Sequence, residues 1–99
     1  MPFQALEKLI HLREGYRRVF RVDGRELLLI VTEDQPHLLQ RHCPHMGQAL
    51  DQATINDGKL VCPRHGFSFD LRSGRCDQEC KPLNRVPLRY HGNTIGIDT

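Results

Sequence analysis

Two segments of the sequence, Cys43-Pro44-His45-Met46-Gly47 and Cys62-Pro63-Arg64-His65-Gly66-Phe67, decide how the rest of the chain is read. Abstracted, they are C-x-H, sixteen intervening residues, then C-x-x-H. Each offers one thiolate and one imidazole, with Pro and Gly beside them to allow tight turns. Two such loops, each following a strand, can approach as a pair of fingers around one metal centre. A single tetrahedral zinc held by two Cys and two His is chemically acceptable. Zinc fingers, however, usually pair Cys with Cys and His with His, whereas here each arm is mixed. Mixed arms suit a [2Fe–2S] cluster in which one iron takes both thiolates and the other both imidazoles. A lone C-x-x-H would be a weak signal; the doubled pattern, with Pro after each Cys, is a strong one.

Outward from the fingers the chain reads as β structure. Tyr16 to Val22 mixes β-branched and aromatic residues with arginine, and Asp23-Gly24 marks a hairpin turn. Arg25 to Thr32 follows as a strand apolar enough to be largely buried. Glu33-Asp34-Gln35-Pro36 reads as the next turn and His37 to Gln40 as a short strand. Between Arg41 and Leu50 the periodicity stops. Asp57-Gly58 leads into Lys59-Leu60-Val61, and Phe67 to Asp70 can form a strand ended by Arg72-Ser73-Gly74. Val86 to Tyr90 and Thr94 to Ile97 close the chain around His91-Gly92-Asn93. The one helical candidate is Ala5 to Leu12, where an edge strand fits equally well. Many short strands at this spacing suggest an antiparallel sandwich or barrel.

Ninety-nine residues allow one domain, spanning residues 1–99, and a bound metal is a common supplement at this size. The longest apolar run, Leu27 to Val31, is far too short to span a membrane, and Met1-Pro2-Phe3-Gln4 lacks the features of a secretory signal. A cytoplasmic location is expected. Eleven Arg and three Lys face twelve acids, for a net charge of +2, and they are scattered. With no Trp and few aromatics to interleave with them, neither a nucleic-acid partner nor a membrane partner is expected.

On the two fingers the sequence resembles the Rieske-type iron–sulfur proteins, and in length the small stand-alone Rieske ferredoxins. The resemblance implies an all-β Rieske fold: a base domain of antiparallel sheets carrying a small two-loop cluster-binding subdomain, about residues 41–70. By the motif, one [2Fe–2S] cluster would be bound by Cys43 and Cys62 on one iron and His45 and His65 on the other. Two departures from the high-potential branch matter. The positions where that branch has its extra cysteines are Gln48 and Arg64, so its loop-to-loop disulfide cannot form. Where it has hydroxyls that donate to the cluster sulfurs, this chain has Phe67 and Phe69. A potential toward the bottom of the range of roughly −150 to +300 mV is expected.

The implied function is that of a one-electron carrier between a flavin-dependent reductase and a terminal oxygenase of the aromatic-ring-hydroxylating dioxygenase type, with no catalysis of its own. The alternatives are a small Rieske subunit of a larger oxidoreductase such as assimilatory nitrite reductase, and a structural zinc module. Around the fingers, His42 reads as a surface or supporting residue, and Met46 and Pro63 as apolar cover over the cluster. Arg64 divides evenly between partner recognition and an ordinary exposed arginine. His11, His37 and His91 read as solvated, and Cys76 and Cys80 as free or reversibly oxidised thiols.

Overall fold

A computed structural model describes residues 2–44, 47–63, 66–78 and 81–98. His45, Met46, Arg64, His65 and Cys80 lie outside the described residues. Nine strands are assigned within them: β1 (Phe3–Lys8), β2 (Arg17–Val22), β3 (Arg25–Thr32), β4 (Gln35–Gln40), β5 (Thr54–Asn56), β6 (Lys59–Val61), β7 (Ser68–Asp70), β8 (Arg89–His91) and β9 (Thr94–Asp98). They form three antiparallel sheets in the orders β1-β9-β8, β2-β3-β4 and β5-β6-β7.

Strand β3 explains why the sheets stack as they do. Its residues from Leu27 to Thr32 are all buried. Successive side chains of a strand point to opposite faces, so a continuous buried run needs cover on both sides. Leu27 and Leu29 pack with Val22, Leu38 and Ile97, in a cluster that also takes in Phe20, Leu6 and Leu88. Leu28 and Ile30 pack the other way, with Leu39, Leu50, Leu60 and Phe69. The sheet β2-β3-β4 is therefore the middle layer, with the terminal strands on one face and β5-β6-β7 on the other.

Tight turns fix the registers. Asp23 and Gly24 between β2 and β3, and Asp57 and Gly58 between β5 and β6, all have positive φ, as two-residue hairpin turns of this hand require. Glu33 and Asp34 do the same between β3 and β4, with φ of 52° and 60°. The Glu14 carboxylate supports them by accepting from both backbone N–H groups, at 3.2 and 3.3 Å.

That two-residue turn corrects the sequence reading, which spent Gln35 and Pro36 on the turn. Both belong to β4. Val31, opposite Pro36, exchanges its backbone bonds with Gly15 and Tyr16 instead, so the missing Pro N–H costs no ladder bond. Of the two readings of Ala5 to Leu12, the edge strand holds in place of the helix: β1 lies at the edge of its sheet and is followed by a single 3₁₀ turn at Leu9–His11. The short strand Thr54–Asn56 was not anticipated. Val86 to Leu88 does not join β8; Val86 N–H donates to Leu38 C=O, and Arg85 bridges Leu39, so this segment runs along the edge of β4.

Candidate metal centre

Each finger is the tip of a hairpin, and the two tips share one backbone frame. In the first, Cys43 N–H donates to Gln48 C=O at 2.8 Å and Gly47 N–H donates back to Cys43 C=O at 2.9 Å. In the second, Cys62 N–H donates to Phe67 C=O at 2.8 Å and Gly66 N–H to Cys62 C=O at 3.1 Å. The stems agree too: His42 bridges Ala49 as Val61 pairs with Ser68. The closing glycines have φ of +66° and +72°, a conformation that costs a residue with a Cβ about 1–2 kcal/mol. The shared element is thus C-P-x-x-G, visible in the sequence once the loops are aligned on their cysteines.

The frames bring Cys43 and Cys62 into one apolar cluster. They are 2% and 1% exposed, and both pack among Leu28, Leu50, Leu60 and Phe69. Two buried cysteines on matched turns satisfy what a thiolate-bound centre needs: sulfurs shielded from water and held by backbone geometry. The histidines His45 and His65 lie outside the described residues, as do Met46 and Arg64. By chemistry, Cys43, Cys62, His45 and His65 would offer two thiolates and two imidazoles, a donor set that fits a [2Fe–2S] cluster.

The surroundings differ in part from expectation. Pro63 is exposed, and Phe67 packs on the apolar cluster instead. Phe69 is fully buried in that cluster, so neither phenylalanine offers a hydroxyl there. His42 is half-buried, and His11 and His91 are exposed. Cys76, packed against the same cluster, is disulfide-bonded, where free or reversibly oxidised thiols were expected.

His37 was expected at the solvated surface and is 5% exposed. It lies opposite Ile30 on the finger-facing side of the middle sheet, a position the isolated residue gave no way of seeing. Arg85 Nη2 donates to its Nδ1 at 3.2 Å. Burial, together with the nearby Arg85 and Arg72 cations, holds its pKa below the usual histidine value. The ring thus ties β4 to the Arg85 side chain on the segment that runs along its edge.

The model of the Rieske [2Fe-2S] domain family matches residues 3–88. The chain belongs to this family. A Rieske domain carries a [2Fe–2S] cluster, and the all-β, three-sheet architecture is in keeping with it. The ferredoxin component of the naphthalene 1,2-dioxygenase system of Pseudomonas aeruginosa is 25% identical over 92 residues, covering 91% of this chain and 88% of that protein. Apoptosis-inducing factor 3 of Mus musculus is 30% identical over 63 residues, 64% of this chain but 10% of that protein. The chain thus matches only a small part of that longer relative. Among solved structures, the ferredoxin of carbazole 1,9a-dioxygenase from Nocardioides aromaticivorans shares the fold. Its TM-score is 0.83 at 23% identity, with 98% of this chain and 97% of that chain covered.

Proposed function

We propose that the chain is a diffusible one-electron carrier of the Rieske ferredoxin type. It would take electrons from a flavin-dependent reductase and deliver them to a terminal oxygenase of the aromatic-ring-hydroxylating type. The observation that carries this reading is the matched pair of finger closures, which sets two buried cysteines into one apolar cluster. The likeness to a dioxygenase ferredoxin component over nearly the full length of both chains supports the choice of partners.

In this reading Cys43 and Cys62 hold one iron as thiolates, and His45 and His65 hold the other as neutral imidazoles. Residues 41–70 then form the cluster-binding subdomain of a single domain. A cluster bound there would supply one-electron chemistry. The protein's own groups set the ease of that step. Two neutral imidazoles in place of two thiolates leave the centre about two charge units less negative, which favours reduction. Phe67 and Phe69 donate no hydrogen bonds, which works in the opposite direction. No helix among the described residues is long and apolar enough to cross a membrane, in keeping with the cytoplasmic location we propose.

The test is anaerobic titration of the purified holoprotein with a flavin-dependent reductase and limiting NADH, followed by mixing with an oxygenase. A carrier takes up one electron per chain, gives it up on mixing, and elutes apart from both partners on gel filtration. Failure to take up an electron would overturn the reading. Stable copurification with one large subunit would replace it with that of a fixed subunit.

A further inference from the structure

The two fingers share a frame at their tips but not at their bases. Beneath the second, β6 and β7 pair at three successive positions, Val61 with Ser68, Leu60 with Phe69 and Lys59 with Asp70. Beneath the first, the pairing is reduced to the isolated His42–Ala49 bridge and a backbone bond from Leu50 N–H to Arg41 C=O at 2.8 Å. The strand that leads into this finger, β4, ends at Gln40, and the next begins only at Thr54.

Arg41 occupies the place where a ladder would otherwise continue. Its Nε and Nη2 donate to Oδ1 and Oδ2 of Asp51 at 3.0 and 2.9 Å, a bidentate pair between the two ends of the finger. Its Nη1 donates to Glu26 Oε2 at 2.8 Å, and its backbone N–H donates to Glu26 C=O at 3.2 Å. Glu26 belongs to β3 in the middle sheet. Arg17 Nη1 adds a bond to Asp51 C=O at 2.9 Å. One planar guanidinium therefore joins both ends of the first finger and fixes them to the strand that anchors the fold. Isolated surface ion pairs contribute little, but bidentate pairs within a network are the exception. The side chains of Arg41, Asp51 and Glu26 are all about two-thirds shielded or better, at 28%, 31% and 31% exposed.

We propose that Arg41 is a positioning residue for the metal centre, latching the first finger closed and onto β3 in place of the strand ladder that holds the second. Cys43 lies two residues beyond Arg41, on a turn that otherwise rests on its apolar packing and on a bond from Gln40 Nε2 to His42 C=O at 2.6 Å, so release of the latch lets the stem fray and water reach the thiolate. The proposal rests on the ligand assignment above. Lysine cannot substitute fully, because a single ammonium cannot span both Asp51 oxygens in a fixed fork while also reaching Glu26.

The test measures iron release from the reconstituted holoprotein into excess chelator, with the EPR linewidth of the reduced sample as a second readout. The variants are Arg41→Gln, Asp51→Asn, the double variant and Arg41→Lys. Arg89→Gln serves as control, since it removes an ion pair to Asp98 on the terminal sheet. Arg41→Gln and Asp51→Asn are each expected to release iron about tenfold faster with broadened spectra, and the double variant no faster than either. Arg41→Lys falls between, at about threefold, and Arg89→Gln matches the parent. Release at the parent rate in Arg41→Gln, or additive effects in the double variant, would overturn the latch. If the Gln and Asn variants do not load, Arg41→Lys decides: faster release supports the latch and the parent rate refutes it. A parent protein that holds no iron would instead refute the ligand assignment itself, and the latch with it.

Discussion

At the scale of single residues, the Glu7 carboxylate and the His37 imidazole each tie the stability of the fold to pH. Glu7 accepts hydrogen bonds from Tyr16 Oη at 2.8 Å and from Lys8 N–H at 2.8 Å, and its carboxylate meets His11 Nδ1 at 2.8 Å. These bonds, that of His11 foremost, lower its pKa from 4.5 to about 2. The unfolded chain thus binds the proton first, so the stability Glu7 supplies is complete above pH 4.5 and fades as the pH falls toward 2. Glu7→Gln should lower Tm at pH 7 and flatten the acid limb between pH 4.5 and 2 in thermal melts; an unchanged limb would contradict the assignment. His37 acts in a higher window. Its folded pKa lies below 6.5, so the unfolded chain gains a proton that the folded chain resists, and stability declines as the pH drops below 6.5. His37→Gln should reduce the Tm loss on going from pH 7 to pH 5, whereas an identical loss would show that the ring is not buried neutral. Neither group was legible in the sequence as a buried or networked residue. His37 took its environment from Arg85, forty-eight positions away, and no local pattern announces such a partner.

At the scale of elements, the fingers were the most legible part of the chain and their bases the least. Cys43, Cys62 and the flanking Pro and Gly could be read directly, because tight turns leave a compositional mark. The strand Arg25–Thr32 was read to its exact ends for the same reason: apolar alternation on two faces produces a continuous run. The strand Thr54–Asn56, by contrast, has three residues and depends on pairing with β6, and the ion pairs of Arg41 join residues ten and fifteen positions away. Propensity carries no information about either. Two predictions belong here. Among the described residues nothing lies within 4 Å of a Cβ added at Gly47 or Gly66, so Gly47→Ala and Gly66→Ala report chiefly the cost of the left-handed turn. Each should destabilise the protein by about 1–2 kcal/mol, a fall in Tm of roughly 5–10 °C; unchanged melting would show that the closures are not needed. Phe69→Tyr places a hydroxyl where the chain has none. If that hydroxyl donates to the cluster, the midpoint potential should rise by about 60 mV, the equivalent of one charge-assisted bond for a one-electron couple. Voltammetry that finds no rise would remove the absence of donors as the cause of a low potential.

At the scale of the whole molecule, three sheets divide the labour. The middle sheet is buried on both faces, the terminal sheet closes one side of it, and the finger-bearing sheet uses the other as its foundation. Both cysteines are thereby continuous with the core. The most direct test of this account is metal analysis of the purified protein together with pulsed EPR of the dithionite-reduced sample. Two irons per chain, a rhombic signal and couplings from two imidazole nitrogens, lost together on His45→Ser and His65→Ser substitution, are the predicted result. An EPR-silent protein with one zinc per chain, or a cluster without nitrogen coupling, would contradict it.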